Sequence, residues 1–259
     1  MGYEQHVRTG YVEGVRLMGE QLGKTLEGKG AVITGAGRGI GRAIALGYAR
    51  AGASVCCASR TESEIQETVG EVRAEGGTAV AFKADVRQQE AVQALFEFAE
   101  AELSGIDIAV LNAGVNLDRG PVEGGDPAAW EETIRTNLLG AYYCARAVIP
   151  AMKRRGGGKI ITIGSGMGHR GIAESSAYSC SKAGLWMLTR VLAQELREHN
   201  ISVNELIPGP VRTDIVSKLH FEGEWFKSPE DVVPMALFLA TQPEIGPTAQ
   251  SYSLMRRDT

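Results

Sequence analysis

The sequence predicts an α/β fold in which a doubly wound parallel sheet of about seven strands carries helices on both faces. Two patterns support this prediction. Short runs of consecutive apolar residues, typical of strands buried on both faces, alternate with longer stretches whose apolar residues recur at helical spacing. Parallel strands joined in this way need right-handed crossovers, which place the helices against the sheet.

The predicted elements follow one another from residue 31 to residue 254. We expect strands at 31–34, 54–58, 78–82, 106–111, 159–163, 202–207 and 251–254. We expect helical stretches at 40–50, 62–75, 88–103, 130–154, 176–198 and 229–240. In the third of these helices one stripe collects Val92, Leu95, Phe96 and Ala99, as a helix packed on a sheet requires.

The length of 259 residues is normal for one α/β domain, and no flexible linker interrupts the chain after residue 26. We therefore predict a single domain over 27–259, preceded by an extension at 1–26 that is helical or disordered. No apolar run reaches the length of a signal-peptide core or of a membrane span. The protein is therefore expected in the cytoplasm, without membrane contact.

Charge and residue types argue against two classes of function. The formal net charge is −4 and no Lys/Arg-rich run occurs beyond 153–155, so no surface for nucleic acid is predicted. That basic trio is expected near a helix end, where cations meet exposed carbonyls. The four histidines and four cysteines show no ligand spacing, so no metal site is expected. We expect reduced, buried thiols at 56, 57, 144 and 180.

A glycine-rich turn separates the first strand from the first helix. Glycines there permit positive φ angles and a close approach of the backbone to a pyrophosphate, while the helix N-terminus offers unpaired N–H groups to the anion. The alternative is a tight turn that binds nothing. Because the turn lies between a strand and a helix, we predict a dinucleotide site that includes Gly35, Gly37, Arg38, Gly39, Ile40 and Gly41.

The end of the second strand indicates which dinucleotide binds. An acid at this point would bond the ribose 2′-hydroxyl of NAD, but the sequence has Ser59 and Arg60 instead. The Arg60 guanidinium can bond a 2′-phosphate, and Arg38 could add a second cation. The alternative is that Arg60 is simply solvated. NADP(H) is therefore favoured over NAD(H).

A tyrosine and a lysine four residues apart begin the helix predicted at 176–198. This spacing places the Tyr178 phenol and the Lys182 ammonium on one helix face, where the cation would favour the phenolate. Ser165 follows the strand at 159–163, at the edge of the sheet where ligands bind, and its hydroxyl can donate to a carbonyl oxygen. Asn137 lies within a helical stretch, which indicates a specific role or a kink.

Taken in order, these motifs resemble the short-chain dehydrogenase/reductase superfamily, whose members have a Rossmann fold. The residues that carry the resemblance are the turn at 34–41, Asn112-Ala113-Gly114, Asn137, Ser165, Tyr178-x-x-x-Lys182 and the segment 208–213. The likeness covers about residues 28–255 and is strongest to 3-oxoacyl-carrier-protein reductases and polyketide ketoreductases. It implies that 27–259 is one dinucleotide-binding and catalytic domain that interconverts a ketone and a secondary alcohol.

The resemblance also implies a role for each matched position. Tyr178 would be the general acid/base, Ser165 would orient the carbonyl, and Asn137 would hold a water of a proton relay. Lys182 would bond the nicotinamide ribose and lower the pKa of Tyr178. The remaining cofactor contacts would come from Asp85 and Val86 at the adenine, from Asn112, Ala113 and Gly114 along the cleft, and from Pro208, Gly209, Val211 and Thr213 beside the nicotinamide.

Three features depart from the family pattern: the extension at 1–26, a short segment between Thr213 and Pro229, and a tail that ends near Arg256 and Arg257. In the family that segment forms the substrate lid, so a short one is expected to leave the pocket open to bulky or carrier-bound substrates. The stretch 115–120 also differs from the wording usual in 3-oxoacyl-carrier-protein reductases.

Other interpretations remain open at this point. An NAD-linked dehydrogenase of secondary alcohols or sugars would use the same residues. A non-catalytic nucleotide-sensing or scaffold protein could share the fold, because fold alone does not determine activity. The resemblance further implies a homotetramer or homodimer joined through helices near 131–154 and 176–198, although burial within one subunit would also explain their apolar stripes.

Overall fold

The structure, a computed structural model, describes residues 24–213 and 226–255. Seven parallel strands form one sheet in the order β3-β2-β1-β4-β5-β6-β7. The order reverses between β1 and β4, so the chain winds outward from the centre in both directions. The predicted doubly wound sheet is confirmed. The extension at 1–26 lies almost entirely outside the described residues, as do 214–225 and the Arg256-Arg257 tail.

The strands lie close to their predicted positions. They are β1 (Gly30–Thr34), β2 (Ser54–Ser59), β3 (Thr78–Lys83), β4 (Ile108–Leu111), β5 (Gly158–Ile163), β6 (Ile201–Ile207) and β7 (Ser251–Ser253). The α-helices are α1 (Gly39–Arg50), α2 (Glu62–Ala74), α3 (Gln89–Glu102), α4 (Pro127–Ile134), α5 (Gly140–Arg155), α6 (Met167–Arg170), α7 (Ser176–Glu195) and α8 (Val233–Ala240). Short 3₁₀ segments occur at Val122–Gly124, Arg197–His199 and Pro229–Val232.

Two apolar layers cover the sheet, one on each face. Alternate residues of each strand face opposite layers, so Val32 and Ile33 of β1 belong to different clusters. Helices α1, α2 and α8 pack on one face, and their buried residues include Ile44, Tyr48, Ile65 and Leu239. Helices α3, α5 and α7 pack on the other face, where Val92, Leu95, Phe96 and Ala99 are buried as the stripe predicted.

The helix predicted at 130–154 is interrupted in the structure. Helix α4 ends at Ile134, a π-helical segment spans Arg135–Leu139, and α5 continues to Arg155. The irregular segment contains Asn137, whose position within a helix indicated a kink or a specific role. Short α6 was not predicted, because four residues carry no readable helical period.

The smaller expectations have mixed outcomes. The basic trio lies in the last turn of α5, as predicted. Three of the four cysteines are buried, and burial raises the pKa of Cys57 and Cys144 to about 12. Cys180 is exposed on α7, so the expectation of four buried thiols was wrong at that position.

Within 24–213 and 226–255, no helix is long and apolar enough to span a bilayer, and no cluster of potential metal ligands occurs.

Two polar contacts tie distant elements together. The Tyr48 hydroxyl, fully buried on α1, donates to the Ala236 carbonyl of α8 over 2.8 Å. Asp107 accepts from the Gly30 N–H (2.9 Å) and from Arg155 Nε (2.9 Å) at the amino end of the sheet. Burial would raise the pKa of Asp107, but these donors outweigh it and hold the pKa below its usual value.

Candidate active site

A cleft of about 340 Å³ opens at the carboxyl edge of the central strands. This is where the strand order reverses, and open α/β sheets bind ligands at such points. Many of the predicted cofactor residues line it: Gly35, Gly37, Arg38, Gly39, Ile40, Ser59, Arg60, Asp85, Val86, Asn112, Ala113, Gly114 and Thr213. The sequence interpretation missed Thr61, Glu64, Ala84, Val115, Thr136, Arg212 and Pro229, which also line the cleft.

The glycine-rich turn between β1 and α1 is tightly packed. Gly35 and Gly39 have φ angles of 67° and 55°, a region that favours glycine. A Cβ at position 41 would overlap the Gly35 carbonyl oxygen and Asn112 Nδ2, and would lie 2.8 Å from the Gly35 carbonyl carbon. Gly41 therefore does not line the cleft but lets α1 begin directly beneath the turn.

Thr34 and Asn112 join the ends of β1 and β4. Asn112 Nδ2 donates to the Thr34 carbonyl over 2.8 Å, and Thr34 Oγ1 accepts from the backbone N–H groups of Asn112 and Ala113 at 3.0 and 3.1 Å. These bonds satisfy backbone groups that no neighbouring strand pairs beyond the sheet edge. They fix the floor of the cleft.

The outer end of the cleft carries mixed charges. Arg60 is about half exposed, and its nearest carboxylate is Glu132 on α4, with Nη1 3.9 Å from Oε1. Arg38 Nη1 lies 3.4 Å from Glu64 Oε1, and both side chains border the cleft. Contacts this exposed and this long contribute little stability. Ser59 Oγ is engaged by Thr61, accepting from its N–H over 3.2 Å.

Asp85 is paired with a guanidinium that the sequence interpretation did not single out. Arg87 Nη2 donates to Asp85 Oδ2 and Arg87 Nη1 donates to Glu132 Oε1, both over 2.6 Å. Burial alone would raise the pKa of Asp85, but the hydrogen bonds from Arg87 outweigh burial and hold the pKa below its usual value. The Asp85 carboxylate is thus ionised and fixed at the wall of the cleft.

Ser165, Tyr178 and Lys182 come together beside the inner end of the cleft. Ser165 lies close enough to the partly buried Tyr178 phenol to affect its pKa, and Lys182 Nζ lies 5.6 Å from the centre of the Tyr178 ring. Lys182 is buried, and its Nζ donates to the Ile163 carbonyl over 2.7 Å. A Cβ on Gly114, which lines the cleft, would lie 3.7 Å from Lys182 Nζ. The Lys182 ammonium therefore lies against the wall of the cleft.

The pKa values of this group have clear causes. Burial raises the pKa of Tyr178, and the hydrogen bond with Ser165 and the positive charge of Arg119 oppose the rise only in part. The net direction differs from the lowering expected from Lys182 alone. Burial lowers the pKa of Lys182 to about 8, while Glu205 opposes this change. Tyr178 is therefore protonated at neutral pH, and Lys182 is mostly charged.

Asn137 connects the loop after β4 to α7. Its Oδ1 accepts from the Val115 N–H and its Nδ2 donates to the Val115 carbonyl, each over 2.8 Å. The same Nδ2 donates to Ser181 Oγ over 2.9 Å. The side chain therefore holds the loop that lines the cleft against the helix that carries Tyr178.

The segment predicted beside the nicotinamide borders the site only in part. Thr213 lines the cleft, whereas Pro208, Gly209 and Val211 do not, and Val211 is buried in the core. Pro208 is held from behind by Lys227, whose Nζ donates to the Pro208 carbonyl over 3.1 Å. The intervening residues 214–225, where the family has its lid, lie outside the described residues.

Comparison with known proteins agrees with this geometry. A family model described as short chain dehydrogenase matches residues 29–222. The chain is 38% identical over 187 residues to the ketoacyl reductase HetN of a Nostoc species, covering 72% of this chain and 65% of that protein. It is 36% identical over 235 residues to a D-xylose 1-dehydrogenase of Caulobacter vibrioides, covering 86% of this chain and 93% of that one.

A solved structure shares both fold and sequence. A Beutenbergia cavernae protein, described as an NAD(P)-dependent gluconate 5-dehydrogenase with NADP bound at low occupancy, superimposes with a TM-score of 0.81. The two chains are 36% identical, and the match covers 88% of this chain and 95% of the other. Together with the motifs and the sheet order, these matches show that the chain belongs to the short-chain dehydrogenase family of oxidoreductases.

Proposed function

We propose that the protein is an NADP(H)-dependent ketoreductase that converts a ketone, such as a 3-oxoacyl thioester or a related carbonyl, into a secondary alcohol. The observation that carries the proposal is the contact of Ser165 with the Tyr178 phenol, backed by the buried ammonium of Lys182. A phenol that burial keeps protonated is the acid that carbonyl reduction needs.

The cleft fits a nicotinamide dinucleotide. Gly35 and Gly39 put no Cβ between the backbone and a bound pyrophosphate, and α1 begins at this turn with no side chain capping its N-terminus. Residues of the turn would hold the pyrophosphate, and Asn112 to Gly114 would line the path towards Lys182. When bound, the reduced nicotinamide supplies the hydride that attacks the carbonyl carbon.

The side chains of this protein would handle the proton and the developing charge. Tyr178 donates its phenolic proton to the carbonyl oxygen, and the Ser165 hydroxyl donates a hydrogen bond to that oxygen as it becomes negative. Lys182, charged beside the ring, stabilises the phenolate that remains. Proton uptake from solvent then restores the phenol. We also propose that Asn137 holds a water of this proton relay.

Cofactor preference depends on the outer end of the cleft. Arg60 is loosely held, so its guanidinium can turn from Glu132 to a 2′-phosphate and form charge-assisted hydrogen bonds. Glu64 and Glu132 lie close by and would oppose the phosphate unless Arg38 and Arg87 neutralise them. The absence of an acid at Ser59 or Arg60 favours NADPH over NADH.

A second candidate is an NAD-linked sugar or secondary-alcohol dehydrogenase. It is favoured by the similarity to the D-xylose 1-dehydrogenase, which extends over 93% of that protein. The same Tyr178 would then act as a base, and its raised pKa would move the activity towards alkaline pH. Cofactor and direction of turnover therefore separate the two candidates.

We also propose a homo-oligomer, either dimer or tetramer. Large apolar side chains are exposed on and next to α5 and on α7, the two helices expected at the interface, and they include Leu139, Tyr142, Met187 and Val191. Sedimentation of the parent and of a Met187→Glu variant tests this: a shift to monomers supports the interface. The single domain over 27–259 and a cytoplasmic location stay proposals from the sequence.

The deciding experiment measures initial rates with a short 3-oxoacyl thioester and NADPH, with NADH and with D-xylose plus NAD⁺ in parallel. We expect turnover with NADPH and a loss of about 10²–10⁴-fold in kcat for Tyr178→Phe, without loss of NADPH binding. Tyr142→Phe, which removes an exposed hydroxyl, is the matched control. Xylose oxidation without thioester reduction would favour the second candidate.

The proposed role of Arg60 is tested with the same assay. Arg60→Glu should raise the KM for NADPH tenfold or more and leave the KM for NADH nearly unchanged. Arg197→Glu changes an exposed arginine far from the cleft by the same charge and should change neither value. Equal losses for both cofactors in Arg60→Glu would contradict recognition of the 2′-phosphate.

A further inference from the structure

A carboxylate is buried in the sheet behind the proposed active site. Glu205, in the middle of β6, is completely shielded from solvent. It lies on the same face of the strand as Val203, which belongs to the cluster beneath α7. Placing an ionised carboxyl group in such surroundings is strongly unfavourable unless hydrogen bonds and charges compensate for it. An apolar residue in this interior strand would avoid the unfavourable burial of a charge, so the presence of an acid indicates a specific role.

Three neighbouring elements hold the carboxylate. Oε2 accepts from His169 Nε2 on α6 over 2.8 Å and from the Ser251 hydroxyl on β7. A hydrogen bond from His169 to an ionised carboxylate requires a proton on Nε2. The His169 ring also packs on Trp186 of α7, with 4.6 Å between ring centres. The other oxygen, Oε1, has no hydrogen-bond partner among the described residues.

The free oxygen lies directly against the backbone that leads to Ser165. A Cβ at Gly164 would overlap Glu205 Oε1 and lie 2.5 Å from the carboxyl carbon, so any side chain at 164 would displace the acid. On the other side of Ser165, α6 is anchored by His169. Its Gly168 N–H donates to the Ser165 carbonyl over 3.0 Å. The carboxylate therefore supports Ser165 from both directions along the chain.

The same acid acts on Lys182. The Lys182 ammonium donates to the Ile163 carbonyl, and Glu205 Oε1 lies against the next residue, Gly164. From this position Glu205 opposes the lowering of the Lys182 pKa by burial. Two titratable groups face Lys182: Tyr178 on its own helix and Glu205 from β6. Two more act through these neighbours, since His169 of α6 contacts Glu205 and the charge of Arg119, in the loop after β4, acts on Tyr178. Of these, only Glu205 contributes a charge that favours the ammonium form of Lys182.

We propose that Glu205 is a positioning residue of the active site: its carboxylate anchors the short helix α6 behind Ser165 and places a negative charge near the Lys182 ammonium. This inference deepens the proposed reductase function and rests on it for the kinetic readouts. Its second part, the effect on Lys182, can be measured without any turnover.

The test compares Glu205→Gln, which keeps the size and removes the charge, with Glu198→Gln, the same change at an exposed position. In Glu205→Gln, Lys182 should lose its proton at lower pH. The alkaline limb of kcat/KM for carbonyl reduction should therefore move towards acid by about one pH unit. We expect kcat to fall at least tenfold with little change in the KM for NADPH. Glu198→Gln should match the parent in both.

Conservative variants separate positioning from mere stability. Glu205→Asp keeps the charge, so the alkaline limb of its kcat/KM profile should lie at the same pH as in the parent even if its kcat stays low. His169→Gln keeps a donor near the carboxylate but loses the packing on Trp186, so it should lower kcat and leave the limb in place. A Glu205→Gln protein that is only less stable, with unchanged kcat and pH profile after the folded fraction is measured, would overturn the inference.

A readout independent of activity distinguishes the two proposals. Nuclear magnetic resonance of nitrogen-labelled lysine side chains, with Lys182 assigned through Lys182→Arg, follows its titration directly. A lower Lys182 pKa in Glu205→Gln supports the effect on Lys182 even if no carbonyl substrate is turned over, in which case the proposed function fails alone. An unchanged Lys182 titration contradicts that effect whatever the enzyme reduces.

Discussion

Replacing Gly41 with alanine tests whether the packed turn is needed for both folding and cofactor binding. An added methyl group would overlap the Gly35 carbonyl oxygen and Asn112 Nδ2, neither of which can move without opening the turn or breaking the bond to Thr34. Overpacking of this kind costs about 1–3 kcal/mol. Gly70 of α2 is the matched control, because a Cβ there meets nothing within 4 Å.

The two variants should move in opposite directions. Gly70→Ala should stabilise the protein by about 0.8–1.0 kcal/mol, since alanine favours an exposed helix interior over glycine. In Gly41→Ala the higher helix propensity of alanine stabilises the protein in part, but the steric overlap destabilises it more. Gly41→Ala should therefore be about 2 kcal/mol less stable than Gly70→Ala. For a chain of this size, that difference corresponds to a gap in Tm of about 4–8 °C.

Urea unfolding measures the free energies, and NADPH fluorescence titration measures the Kd. We expect Gly41→Ala to weaken NADPH binding at least tenfold, about 1.4 kcal/mol, because the turn that faces the pyrophosphate must shift. Gly70→Ala should bind like the parent. If Gly41→Ala proved as stable as Gly70→Ala and bound NADPH with an unchanged Kd, the argument from close packing would be refuted.

Three further substitutions test contacts away from the turn. Asp107→Asn should destabilise the protein by about 1–3 kcal/mol at pH 7. Because the pKa of Asp107 is lowered in the folded state, the stabilisation by its carboxylate is present above the unfolded-state pKa and disappears as pH falls through the folded-state pKa. The stabilities of parent and variant, measured by unfolding at decreasing pH, should therefore converge in acid. Tyr48→Phe should cost about 0.5–1.5 kcal/mol by removing the hydrogen bond from the Tyr48 hydroxyl to the Ala236 carbonyl, seen as a lower urea midpoint with an unchanged slope. Asn137→Ala should lower both Tm and kcat by releasing the Val115 backbone; an unchanged kcat would contradict its position at the site.

The sequence was sufficient to predict the sheet and most of its boundaries. Strands buried on both faces need continuous apolar runs, and such runs are visible without any tertiary information. The helix at 130–154 shows the limit of this reasoning. Its apolar period continues through residues 135–139, but the backbone there is π-helical. Within that segment Asn137 bonds to Val115 and Ser181, which are distant in sequence.

Part of the candidate site was also readable from spacing. The turn at 34–41 and the four-residue separation of Tyr178 and Lys182 are local patterns, and local geometry converts them into a cleft and a shared helix face. The pKa of Tyr178 was not readable, because its direction depends on burial by the whole fold rather than on its nearest cation. Glu205 was missed, although an acid in a strand with no other charged residue was a signal.

Motifs along the chain therefore determined which chemistry this protein can carry, since the glycines, Ser165, Tyr178 and Lys182 are recognisable from their order and their neighbours. Only the tertiary structure decided how those groups are tuned. Glu205, which lies behind Ser165 and Lys182, bonds to groups of α6 and β7; β6, α6 and β7 lie far apart in sequence and meet only when the sheet is assembled. Charge, burial and hydrogen bonding act through space, so their balance at the site is a property of the folded chain.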